Sequence, residues 1–215
     1  KPEGKLPDYA GDKLQKAWQE LHAGDGEPYP DEKRAAALLK AAGKAAPKGL
    51  DAKGLATALQ QAWRDFHAGD FKAAFDAGEK LGPVGSSVAV KALGIHATYL
   101  VDDDGEQEGR YQRAAAIAEA AVKALPDEAN SHYRHAFALG RYSQKLSIAK
   151  ALKMGLAGKV RQSLDRALEL EPKQQKSAWV NEFERQGTVA VAPPMTRERL
   201  PEWITRRLQK HGVTL

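Results

Sequence analysis

The chain has 215 residues, 42% of them apolar, with 33 Lys and Arg against 28 Asp and Glu and a pI near 9.3. That is enough for one elongated domain or two small ones with a real core. No stretch approaches the ~18 consecutive apolar residues of a membrane-spanning helix. The absence of cysteine excludes disulfides, a thiolate nucleophile and thiolate metal sites together. The net charge of +5 is interleaved with acidic residues and reads as a solvated mixed-charge surface; residues 176–215, with 7 basic and 4 acidic side chains, supply +3 of it.

The first organised element is a repeat. Residues 14–25 (LQKAWQELHAGD) match residues 59–70 (LQQAWRDFHAGD) at eight of twelve positions, 45 residues apart. In each copy Leu, Trp and the following Leu or Phe fall at i, i+4 and i+7, one face of a helix, which assigns Trp18 and Trp63 to the core. Gly-Asp then ends one helix and caps the next: Gly accepts a left-handed backbone and Asp binds free amides. His22 and His67 occupy equivalent positions just before that turn, where a partly charged imidazole would suit the negative helix end. Phe71, Ala74, Phe75 and Leu81 give a second apolar face, closed by Gly82-Pro83, and Gly85-Ser86-Ser87 reads as a loop and N-cap.

These residues resemble the tetratricopeptide repeat. Gly69-Asp70-Phe71 with Ala74 is similar to the turn between that family's two helices. Gly109, Tyr111, Ala114, Ala118, Ala121 and Pro126 follow its second-helix and terminal-proline spacing after a Leu93-Gly94 pair. Leu139-Gly140, Leu164, Ala167 and Pro172 repeat the scheme. Both later repeats are eight residues longer than the family pattern, which predicts extended first helices, one running into the acidic loop 102–108 and the other continuing through Ser147–Leu152. The lengthening resembles the periplasmic repeat-bearing T component of tripartite substrate transporters and the regulators of microtubule dynamics. The resemblance implies an all-α helical-hairpin superhelix over residues 1–174 and a periplasmic location, with the cytoplasm as the alternative.

From about Gln175 the pattern changes to helix, strand, helix. Thr188–Ala192 alternates like a strand, stopped by Pro193-Pro194, and Thr196 is placed to cap a final helix. Trp179, the Gly187-to-Pro194 stretch and Leu200–Ile204 followed by Arg206-Arg207-Leu208 resemble part of the delta subunit of the bacterial DNA polymerase III clamp loader. Residues 175–215 are therefore read as a separate strand-helix tail and the chain as a chimera. An isolated strand and helix cannot load a clamp, so that activity is not implied.

No catalytic constellation is visible. His132 and His135 stand i, i+3, but two ligands do not make a zinc site. Asp102, Asp103 and Asp104 are consecutive and the twelfth position is Arg113, so the acidic stretch fails the calcium-loop spacing. Phosphate-cradling and nucleophile-elbow motifs are missing. The expected activity is binding without catalysis, metal or cofactor. In a stacked repeat the first helices line the concave face, so Tyr99, Tyr133, Phe137 and Tyr142 are the candidate groove residues. Arg134, Arg141 and Lys145 beside them would favour an acidic peptide or carboxylate. The partner expected is a protein or peptide; carriage of a small apolar ligand in the periplasm, and a nucleic-acid role through the basic tail, are the alternatives.

Overall fold

The computed structural model describes residues 9–171. Among them it is all-helical, with no strand: α1 (Lys13–Leu21), α2 (Glu32–Ala42), α3 (Ala52–His67), α4 (Phe71–Lys80), α5 (Ser86–Leu100), α6 (Asp104–Ala124), α7 (Ala129–Ser143), α8 (Ile148–Lys153) and α9 (Leu156–Leu170). The strand expected at 188–192, the helix after it and the change of pattern near 175 lie outside the described residues.

Local chemistry explains the helix starts. Asp31, Asp51, Asp70 and Asp103 each precede a helix, and their carboxylates accept from Arg34, Gly54, Ala73 and Glu106 N–H at 2.7, 2.7, 3.0 and 2.7 Å. Each cap satisfies an amide with no partner inside its own helix. Gly69, at φ 83°, reverses the chain between α3 and α4 in a conformation that a β-carbon would oppose.

The helices then pack in chain order. α3 lies on α4, α4 on α5, α5 on α6, α6 on α7 and α7 on α9, while α5 also touches α3 and α7. One core runs from Leu14 and Trp18 through Trp63, Phe66, Phe75, Val88, Leu93, Tyr111 and Leu139 to Leu156 and Val160. A smaller core lies under α2, where Ala35, Leu38 and Ala42 meet Leu55, Leu59, Val84 and Leu125. Small residues set the spacing: a β-carbon at Gly94 of α5 would stand 2.5 Å from Cε1 of Phe137 of α7, so those helices cross with ring against backbone.

Two expectations about the lengthened repeats are corrected. α5 and α7, the first helices concerned, have 15 residues each. The extra length sits elsewhere. The acidic stretch is not a loop over 102–108 but the opening of the 21-residue α6, because Asp103 caps the helix and Asp104 and Glu106 favour its positive end. Beyond α7 the chain forms the separate short α8, ended by Gly155 at φ 63°, and α8 leaves Ile148 and Leu152 80% and 70% exposed. The serine cap is revised too: α5 begins at Ser86 with Gly85 in the cap position and no side-chain bond there.

Candidate functional site

The connector between α1 and α2, residues 22–31, crosses the face shared by α3, α5 and α7. From Asp25 to Tyr29 its side chains alternate. Asp25 is buried and Glu27 and Tyr29 partly so, while Gly26 and Pro28 are exposed; Asp25 ends a turn in which its amide and that of Gly26 donate to the His22 carbonyl, and Gly26 stands at φ 57°. Prolines at 28 and 30 keep this stretch from continuing as helix. It is anchored along its length: Trp18 Nε1 donates to the Glu27 carbonyl at 2.6 Å, and Gln60 Nε2 to the Pro30 carbonyl at 3.0 Å.

Beneath it lie two pairs of polar side chains four residues apart, Ser87 and Lys91 on α5 and Asn130 and Arg134 on α7, so each pair occupies one helix face. Arg134 Nη2 donates to Asp25 Oδ2 at 2.7 Å and to Glu27 Oε2 at 3.3 Å. Its Nε donates to Ser87 Oγ at 3.0 Å. Lys91 Nζ donates to Asp25, Ser87 Oγ to Glu27, and Asn130 Nδ2 to Glu27 Oε2 at 3.1 Å. Two carboxylates thus meet one ammonium and one guanidinium in a buried, charge-balanced group, which is how ionised groups are tolerated away from water. At the edge, Arg34 of α2 pairs with Glu128.

The electrostatics follow from burial and pairing. Burial alone would raise the Asp25 carboxyl, but Lys91, Arg134 and His22 hold it well below the usual carboxylate range. For Glu27 burial wins, and its carboxyl is pushed up against the opposing pull of Arg134. Burial likewise lowers the Lys91 ammonium, opposed by Asp25.

The repeated histidines adjoin this group. His22 Nδ1 lies 2.9 Å from Asp25 Oδ1, and its Nε2 lies 3.1 Å from Nε2 of His67. A carboxylate only accepts, so Nδ1 of His22 carries the proton, and His67 donates to the remaining His22 nitrogen. Burial and the Lys91 charge lower His22 to about 4, and burial with His22 lowers His67 to about 2. Both are neutral near pH 7. This corrects the reading of them as partly charged groups at helix ends: stacking of His22 on Trp18 and T-shaped contact with Trp63 remove them from water.

Asp25 is the second correction. It matches Asp70 in the sequence repeat, yet Asp70 caps α4 while Asp25 turns inward to Lys91 and Arg134. Phe71-Lys72 continues the second copy as helix, whereas Gly26-Glu27-Pro28 cannot continue the first.

The seven residues singled out from sequence do not form one lining. Arg134, expected near the groove surface, is only 3% exposed and bound to Asp25 and Glu27. Tyr133 is buried with Ala167 and Leu164 of α9, where burial pushes its phenol up to about 12. Tyr142 is buried in the main core, and Tyr99 is half-buried against it. Phe137 is half-buried, with the Arg141 guanidinium 5.9 Å from its ring centre. Lys145 pairs with Asp104 at 2.6 Å. Phe137 and Arg141 continue, at three- and four-residue steps, the stripe of α7 that begins with Asn130 and Arg134, and Lys145 follows in the turn after the helix.

Elsewhere, His132 Nε2 lies 2.8 Å from the Pro126 carbonyl and His135 Nδ1 lies 2.8 Å from Ser163 Oγ, so the two rings serve separate partners. Among the described residues no three His, Asp or Glu side chains are grouped to hold a metal, and no helix is long and apolar enough to cross a membrane. An open cleft of about 420 Å³ lies between α1, α2 and α3, lined by Asp12, Gln15, Tyr29, Glu32, Lys53 and Gln60. The inward-facing Asp25, Glu27, Ser87, Lys91 and Asn130 escaped sequence reasoning. Their signals were the prolines of the connector and Lys91 as the single Lys, Arg, Asp or Glu of α5.

No protein-family model, curated protein or solved structure matches this chain.

Proposed function

We propose that the chain is a non-catalytic scaffold of tetratricopeptide-like hairpins that holds an acidic peptide segment of a partner along the face shared by α5 and α7. The observation that carries this reading is the acidic connector itself. A non-helical stretch with carboxylates two residues apart is already held there by Ser87, Lys91, Asn130 and Arg134. The chemistry for binding an acidic peptide is thus present on that face. Beyond Arg134 the same face of α7 carries Arg141, and Lys145 follows just past the helix end, two cations beyond the part that the connector covers. In a superhelical stack these first helices line the concave side.

A labelled decapeptide copying residues 22–31 is the probe. Its fluorescence polarisation with the full chain is expected to show binding that weakens with salt. Binding should drop about fivefold or more when both carboxylates of the peptide are made amides, and similarly when Arg141 and Lys145 are both replaced by Ala, a loss near the upper end for exposed charge pairs. Equal binding of the acidic and neutral peptides by folded protein rejects the reading.

A further inference from the structure

We infer that the connector 22–31 is an internal ligand, which occupies the α5–α7 face as a tethered competitor and must leave before a partner's acidic segment can take the same contacts. This rests on the proposed peptide-binding role. The argument begins with how the connector is held. Its backbone turns at His22–Asp25, where the Asp25 and Gly26 amides donate to the His22 carbonyl, passes Gly26 at φ 57° and runs on to Asp31 without helix, with the Asp25 and Glu27 side chains directed inward. Asp25 and Glu27 reach groups 66 and 109 residues, and 60 and 103 residues, away along the chain.

The segment before it is short. α1 has nine residues, of which Leu14 and Trp18 are buried in the main core; its remaining hold runs through His22 against His67 and Arg64 donating to the Tyr9 and Gly11 carbonyls at 3.1 and 3.3 Å. On the other side α2 keeps its own apolar contacts with α3, the Val84 turn and Leu125. The connector therefore has a fixed anchor at α2 and a releasable end at α1. Ala23, Gly24 and Gly26 are exposed and give the hinge room to swing outward.

Recognition would be by two carboxylates at i and i+2. One sits between Lys91 and Arg134, and the other accepts from Ser87, Asn130 and Arg134. A tethered occupant acts at a millimolar-order effective concentration, so it lowers the apparent affinity of any free competitor by the ratio of closed to open forms.

The test uses the full chain and the decapeptide copying residues 22–31. Asp25→Asn with Glu27→Gln, which keeps side-chain size and removes the charges of the tethered copy, is expected to raise the affinity for the free acidic peptide about tenfold or more. Adding Lys91→Met to that double variant should abolish the gain. Hydrogen exchange on the unaltered chain gives a readout that needs no substitution: saturating peptide should speed exchange of the amides of residues 24–29 and leave those of α4 and α6 unchanged. Peptide binding with unchanged exchange at 24–29 overturns the inference while leaving the proposed function standing. Absence of peptide binding, to the chain and to the double variant alike, overturns both.

Discussion

Lowering the pH from 7 to 5 should weaken this fold through two imidazoles. His22 and His67 are each 3% exposed, with values of about 4 and about 2 against 6.5 when free. Both are depressed by folding, so their contribution is complete above the unfolded value and is lost as the pH falls from 6.5 toward the folded ones. The unfolded chain binds protons that the folded chain refuses. Between pH 7 and 5 each imidazole accounts for about 2 kcal/mol, from ~1.4 kcal/mol per pH unit once the unfolded ring titrates. The groups facing the pair are Asp25, Lys91 and Arg134, with Tyr9 over His67. Asp25 is held too low to change state in that window. Glu27, raised by burial, takes its proton earlier in the folded chain and offsets part of the loss. The expected net destabilisation is about 2–4 kcal/mol. Urea denaturation at the two pH values measures it, and His67→Phe should shrink the difference by about 2 kcal/mol, the share of one ring. An unchanged urea midpoint between pH 7 and 5, or an NMR titration of His22 centred above pH 6, would refute the reasoning.

The two aspartates of the repeat should respond unequally to the same change. Asp25→Ala leaves Lys91 and Arg134 facing each other without their shared carboxylate and should cost about 3–5 kcal/mol. Asp70→Ala removes one N-cap and should cost about 1 kcal/mol; thermal denaturation of both variants at pH 7 measures the gap. Gly94→Ala should destabilise by about 1–3 kcal/mol, because the new methyl meets the Phe137 ring. Phe137→Leu in the same chain should recover part of that loss, and a double-mutant cycle by denaturant gives the coupling.

The residues that sequence reasoning placed well are those whose roles depend on near neighbours. Trp18 and Trp63 read as core because Leu14, Trp18 and Leu21 share a face, and they do meet in the main core, ring centres 5.6 Å apart. Asp70 was legible as a cap because its partner amide is three residues away. The aromatic and basic residues of α7 were harder. The repeat resemblance placed Tyr133, Arg134, Phe137 and Arg141 along a groove, but whether Arg134 stays open depends on a connector from the other end of the chain.

The sequence by itself therefore determined the helical class, the cap at Asp70 and the core place of Trp18 and Trp63, since periodicity and capping act within a turn or two of helix. Only the tertiary structure decided that Asp25 departs from its repeat partner, that both histidines are neutral and that Arg134 is held by the chain's own acidic connector. Each of those outcomes depends on burial beside charges brought from 45 to 109 residues away, and local sequence carries no record of that distance.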